Sequence, residues 1–120
     1  MTEPGRYSYE GLERVMHEKA RLSILTALAA NPDGVLFPEL KELCSLTDGN
    51  LARHLQALKE ADLIEVWKKS RATLCRMSES GRTQFDAYLA ELERVVKDAA
   101  ARQSKPNLKA REDLSGWSCA

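Results

Sequence analysis

The sequence predicts a mainly α-helical domain carrying a small β-hairpin, and three observations predict it. Apolar residues recur at three- and four-residue steps in separate stretches, as in Leu22, Leu25 and Leu28, in Leu51, Leu55 and Leu58, and in Phe85, Tyr88, Leu89 and Leu92. That spacing places each set on one face of a helix. Between residues 63 and 77 the period becomes two: Leu63, Glu65 and Trp67 alternate with Ile64, Val66 and Lys68, and Thr73, Cys75 and Met77 with Leu74 and Arg76. Alternation of this kind suits half-buried strands. The length of 120 residues allows one hydrophobic core and not two.

Taken in order, residues 1–8, with Pro4 and Gly5, are expected to fray, and the folded domain to span residues 9–99. Leu12, Val15 and Met16 share a helical face, which predicts a short helix from about Tyr9, bent near His17 to Ala20 and leading into a longer helix with Leu22, Leu25, Leu28 and Ala29 inward. Asn31-Pro32-Asp33-Gly34 ends it, because Pro32 cannot continue the hydrogen-bond ladder and Gly34 accepts a left-handed backbone. Val35-Leu36-Phe37 is a short β-prone run. Pro38 then occupies a natural first helical position for Glu39 to Cys44, with Leu40, Leu43 and Leu46 expected toward the core.

Ser45-Leu46-Thr47 reads as the turn into the next helix, whose N-cap is Thr47 and whose first carboxylate, Asp48, favours the positive end of the helix dipole. Leu51, Leu55 and Leu58 face the core, which leaves Gly49, Asn50, Arg53 and Gln56 outward. Arginine can pair bidentately with guanine, and asparagine or glutamine with adenine. Two short helices joined by such a turn, the second with polar residues outward, make a helix-turn-helix. The following hairpin has a basic tip, Lys68-Lys69-Ser70-Arg71-Ala72. Ser78 caps a last long helix in which Phe85, Tyr88, Leu89, Leu92, Val95 and Val96 keep an a/d-like spacing. A stripe this long would meet water unless a second chain covered it, so these residues, with Leu12, Val15 and Met16 as neighbours, form the expected homodimer interface. Residues 102–120 lose periodicity and are expected to be a mostly disordered tail, with Trp117 as its one aromatic residue.

Composition narrows the function classes. Hydrophobic content of 43% with 30% charged residues is ordinary for a soluble globular protein. No apolar run reaches membrane-spanning length and the N-terminus lacks a secretion-signal segment, so a cytoplasmic protein without a membrane partner is expected. Cys44, Cys75 and Cys119 are odd in number and widely spaced, with no zinc-type cluster; reduced thiols are the default and no metal is expected. Formal net charge is zero, which argues against an indiscriminate polyanion binder and puts the weight on charge distribution. Residues 48–76 carry six bases (Arg53, Lys59, Lys68, Lys69, Arg71, Arg76) against four acids (Asp48, Glu60, Asp62, Glu65). Residues 78–98 carry five acids (Glu79, Asp86, Glu91, Glu93, Asp98) against three bases (Arg82, Arg94, Lys97). The basic excess lies on the reading half. No nucleophile, base and orienting acid share a usable arrangement and there is no glycine-rich phosphate loop, so neither an enzyme nor a cofactor is expected.

The order helix, helix, short strand, helix-turn-helix, basic hairpin, closing helix is that of a winged helix. In wording, Leu46-Thr47-Asp48-Gly49-Asn50-Leu51, His54-Leu55, Leu58 and Ala61-Asp62-Leu63-Ile64-Glu65, then Ser78-Glu79-Ser80-Gly81-Arg82 and Phe85-Asp86-Ala87-Tyr88, resemble the small winged-helix transcriptional regulators related to the MarR and ArsR groups. The resemblance covers roughly residues 9–98. It implies a homodimeric DNA-binding regulator of bacterial or archaeal type, a repressor, with double-stranded DNA met by Thr47, Gly49, Asn50, Arg53, His54 and Gln56 on the reading helix and by Lys68, Lys69 and Arg71 on the wing. Two departures stand out. The wing is short, with Cys75 at about the place of an aromatic on the returning strand, and Asp62 stands where such proteins usually have glycine. Asp tolerates the left-handed backbone of that position better than most residues.

The remaining candidates read as structural. Glu42-Leu43-Cys44-Ser45-Leu46 is similar to the Glu-Leu-Cys-x-Cys motif of metal-sensing ArsR relatives, but Leu46 replaces the second cysteine, so a buried thiol is expected rather than a ligand. His17 and His54 are expected to be hydrogen-bonded packing residues. Trp67 is either a pocket wall or a hairpin anchor, and the anchor is favoured. Two further readings stay open beside the repressor: a sensor of the same fold responding to an unknown small effector or a thiol change, and a winged helix serving protein interaction without DNA.

Overall fold

The computed structural model describes residues 3–101 and position 116; the expected tail at 102–120, with Trp117 and Cys119, otherwise lies outside the described residues. The elements are α1 (Lys19–Ala30), β1 (Val35–Leu36), α2 (Phe37–Cys44), α3 (Asp48–Glu60), β2 (Ile64–Lys69), β3 (Ala72–Met77) and α4 (Glu79–Ala100). The strands form an antiparallel sheet in the order β1-β3-β2, with Val35 opposite Cys75 and Val66 opposite Cys75 on the other side. This is the architecture expected of a winged helix, with the hairpin β2-β3 as the wing.

Local chemistry accounts for most boundaries. Thr47 Oγ1 accepts the Asn50 N–H at 3.2 Å and Ser78 Oγ accepts the Gly81 N–H at 2.8 Å, each satisfying a donor left free in a first helical turn. Ser45 takes a left-handed conformation (φ 53°) as the turn between α2 and α3, and Asp62 does the same (φ 59°) between α3 and β2. The substitution of Asp for the usual glycine is thus accommodated, as expected. Lys69 pairs with Ala72 around a two-residue turn with Ser70 left-handed.

Gly81 fixes how α4 meets the wing. A Cβ there would fall 1.9 Å from Leu63 O, so only glycine lets the first turn of α4 lie on that backbone. The Ser78 N–H also donates to Leu63 O at 3.1 Å, and the Ser78 hydroxyl to Asp62 O at 2.7 Å. One serine and one glycine therefore clamp the base of the wing to α4.

The core is built from Ile24, Leu25 and Leu28 of α1, Leu40 of α2, Leu51, Leu55 and Leu58 of α3, Ile64 and Cys75 of the hairpin, and Phe85 and Tyr88 of α4. Leu43 departs from expectation and is 64% exposed. In a helix of eight residues, Leu40 and Cys44 take the inward line and leave Leu43 outside it.

The N-terminal segment is the larger correction. No helix forms between Tyr9 and Glu18: Tyr9 is left-handed (φ 47°), Glu18 is extended as the N-cap of α1, and isolated turns such as Leu12 N to Tyr9 O and Met16 N to Glu13 O lie between. The segment is held from outside itself. The Gly11 N–H donates to Glu91 Oε2 at 2.9 Å, the Tyr9 hydroxyl to Asp98 Oδ2 at 2.8 Å, and His17 Nδ1 lies 2.7 Å from the Tyr88 hydroxyl. Arg6 reaches Asp98 at 3.3 Å. Residues 6–17 thus run antiparallel along α4 as a strap, where a helix short of about 12 residues would gain little on its own.

Candidate nucleic-acid interface

The turn centred on Ser45 sets α3 across α2, and Lys41 Nζ pairs with Asp48 Oδ1 at 3.0 Å across that junction. The acid at the reading end of α3 is thereby partnered, although an exposed pair of this kind contributes little to stability. Thr47, Gly49, Asn50, Arg53 and Gln56 are all exposed and lie together on the outer side of α3. Two of them are restrained by neighbours: an Arg53 Nη2 donor lies 3.4 Å from Asn50 Oδ1, and Gln56 Nε2 donates to Glu60 Oε1 at 3.0 Å. Among the described residues, nothing beyond its own helix turn and chain neighbours lies within 4 Å of where a side-chain Cβ of residue 49 would sit, and Gly49 carries no positive φ, so the fold itself does not require glycine there.

His54 does not belong to this face. It is 7% exposed and turned inward, where its Nδ1 accepts from Arg21 Nε at 3.4 Å and lies 3.8 Å from Glu18 Oε2. Its three-residue step from Leu51 puts it on the apolar side of α3, so it cannot meet DNA from there. It joins α3 to the start of α1. Partial burial pulls the Glu18 carboxyl upward, but backbone hydrogen bonds from Arg21 and Ala20 together with the nearby His54 and Arg21 outweigh this and hold its pKa below the usual range.

On the wing, Lys68, Lys69 and Arg71 are exposed around the hairpin tip, as expected. Lys68 stands opposite Thr73 and looks back toward α3, while Lys69 lies on the outer face. Trp67 is 54% exposed on that outer face, opposite Leu74, with the Arg76 guanidinium 5.6 Å from its ring centroid. Arg76 also donates to Glu65 Oε1 at 2.9 Å. The strand alternation sends Ile64 and Val66 to the core side and Trp67 to the other, so burial was never available to it.

Burial raises the thiol pKa of both Cys44 and Cys75 above its ordinary value, which keeps them protonated and weakens a redox role at these positions. Among the described residues, no group of three or more His, Cys, Asp or Glu could hold a metal ion, and no helix is long and apolar enough to cross a membrane.

The expected dimer stripe divides by burial. Met16, Phe85 and Tyr88 are buried in the protomer's own core and are not available to a partner. Leu12, Val15 and Leu92 are half-buried against that core, because the strap covers one side of α4. Leu89 and Val96, at 40% and 62% exposure, remain outward with half-buried Val95 beside them.

Residues 20–96 match a family model for the winged helix DNA-binding domain. A protein from Methanocaldococcus jannaschii is 34% identical over 89 residues, spanning 71% of this chain and 96% of that protein. Among solved structures, the fold is similar to the transcriptional regulator homologue protein from Pyrococcus horikoshii OT3, with a TM-score of 0.70 and 21% identity over 74% of this chain and 91% of that one. It is similar also to a MarR-family transcriptional regulator from Silicibacter pomeroyi, with a TM-score of 0.59 and 17% identity over 93% and 83% of the two chains.

Proposed function

Since the chain belongs to the winged helix DNA-binding domain family, we propose that it is a sequence-specific transcriptional regulator, a repressor that binds a palindromic operator as a homodimer. The observation that carries this reading is the outer side of α3, where Asn50, Arg53 and Gln56 lie exposed in the first three turns. These are the residue types that read guanine and adenine in the major groove, at the helical positions from which base edges are reached. Thr47 and Gly49 supply a hydroxyl and an open backbone to adjoining phosphates, and Lys68, Lys69 and Arg71 bring positive charge to the neighbouring backbone or minor groove.

Assembly rests on Leu89 and Val96, with Leu92 and Val95 at their side, which a second copy would cover. A two-fold axis there would set the two α3 helices on successive major grooves roughly 34 Å apart. Occupying promoter DNA in this way blocks polymerase.

The test is enrichment of duplexes from a random-sequence pool by the wild-type protein, followed by affinity measurement at rising salt. The reading expects an inverted-repeat consensus and affinity that falls steeply with salt as phosphate counterions are released. Failure to enrich any sequence, or binding insensitive to salt, would favour a protein-interaction module instead.

A further inference from the structure

The flank of α3 and the inner face of the wing enclose a cleft of about 230 Å³. Phe37, Leu55 and Val66 form its apolar floor, and Lys59, Lys68 and Thr73 stand around it. Lys59 comes from the last turn of α3, whereas Lys68 and Thr73 face one another across β2 and β3. The two cations are therefore held by different elements on either side of one groove.

Among the described residues no carboxylate lines this cleft, and neither Lys59 nor Lys68 takes part in an ion pair. Glu60, next in sequence, is occupied by the amide of Gln56, which also lines the cleft, and Glu65 lies on the opposite sheet face holding Arg76. An apolar floor between two free ammonium groups and a hydroxyl matches an occupant with a carbon-rich body and a single negative charge.

Such an occupant follows from the geometry of a duplex. Each sugar-phosphate strand separates the major groove from the minor groove, so a protein with a helix in one and a hairpin tip at the other must have a strand passing between them. We propose that this cleft seats one sugar-phosphate unit of that strand, with the deoxyribose on Phe37, Leu55 and Val66 and the phosphate held by Lys59, Lys68 and Thr73. The proposal rests on the DNA-binding reading above and adds Lys59 and Thr73 to the contacts, as backbone clamps that do not read bases.

The experiment uses the full chain and its enriched duplex, carrying a single neutral methylphosphonate moved one position at a time along each half-site. One position is expected to weaken wild-type binding by roughly tenfold. Lys59→Gln should cause a similar loss on the unmodified duplex, uniformly across sequences, with the salt slope reduced by about one. Combining the variant with the critical methylphosphonate should add little, because the pair is already broken. Thr73→Val should lose less than Lys59→Gln, since a neutral hydroxyl contributes less to a phosphate than a charge. Lys59 is exposed, and unchanged thermal unfolding of Lys59→Gln would separate these effects from folding.

The clamp is overturned if Lys59→Gln binds like the wild type, or if it stays fully sensitive to every methylphosphonate. Inorganic phosphate alone, added without DNA, distinguishes the other source of the same chemistry. Tight phosphate-dependent chemical-shift changes confined to Lys59, Lys68 and Thr73 would mark a free-anion site and also overturn the proposal. A wild-type protein that enriches no duplex would bring down the regulatory reading itself, which is a different result from normal wild-type binding with an indifferent Lys59→Gln.

Discussion

Replacing Gly81 with alanine is expected to destabilise the domain by about 3 kcal/mol, whereas the same replacement at Gly49 should be neutral or stabilising by up to about 1 kcal/mol. At Gly81 the new Cβ would lie 1.9 Å from Leu63 O and 2.7 Å from its carbonyl carbon. Both are backbone atoms, which cannot rotate away as a side chain would. Separating α4 from Leu63 falls at the upper end of the roughly 1–3 kcal/mol cost of overpacking. It also endangers the Ser78 N–H bond to Leu63 O, a net contribution of about 1 kcal/mol. Alanine's better helix propensity offsets at most about 1 kcal/mol of this. At Gly49 the Cβ would meet nothing within 4 Å among the described residues beyond its own helix turn, so only the propensity gain remains. Urea unfolding of both variants gives the comparison directly, with the midpoint for Gly81→Ala well below the wild type and that for Gly49→Ala at or above it. Equal midpoints for the two variants would refute the close approach of α4 to the base of the wing.

Other consequences are as direct. Leu89→Glu combined with Val96→Glu should leave the fold within about 0.5 kcal/mol of the wild type, because both sites are exposed. Sedimentation should then give a monomer with much weaker operator binding, and a persistent dimer would place the interface elsewhere. Changing Lys68, Lys69 and Arg71 to glutamine should weaken binding to all sequences and lower the salt slope; loss of specificity with intact non-specific binding would exchange the roles of wing and helix. The Glu18 carboxyl is held below its ordinary pKa of 4.5, so its stabilising effect is present above that value and is lost as pH falls through the lower folded-state value. Glu18→Ala should cost about 0.5–2 kcal/mol near neutral pH through the lost cap and should flatten the acid limb of the stability curve. An unchanged acid limb would show that Glu18 is not coupled to folding.

Elements governed by local chemistry were legible in the sequence. The Leu51, Leu55, Leu58 period, the Thr47 and Ser78 caps and the left-handed turn at Asp62 each rest on residues within a few positions of one another. The N-terminal segment follows a different rule, since its bonds reach 71 to 89 residues away to Tyr88, Glu91 and Asp98. A helical spacing of Leu12, Val15 and Met16 cannot register such partners. The expected dimer stripe is wider than the exposed face of α4 because Phe85 and Tyr88 are buried in the protomer's own core. His54 was readable in principle, because its spacing from Leu51 and Leu58 is that of the buried face, although Arg21, 33 residues away, was not. Lys59 and Thr73 also had a signal. Lys59 continues the step from Gln56, and a two-residue turn at Ser70-Arg71 places Thr73 opposite Lys68.

If α3 reads base sequence through its exposed polar residues, Arg53→Ala is the variant that shows it most directly. Arg53 is exposed and, among the described residues, its one side-chain bond is a long one to Asn50, so its loss should leave folding unchanged. Affinity for the enriched duplex, measured against single-base variants of each half-site, is expected to fall by about 1–3 kcal/mol, with preference relaxed at one base pair per half-site and non-specific binding largely retained. An Arg53→Ala protein with unaltered affinity and unaltered base preference would contradict the claim.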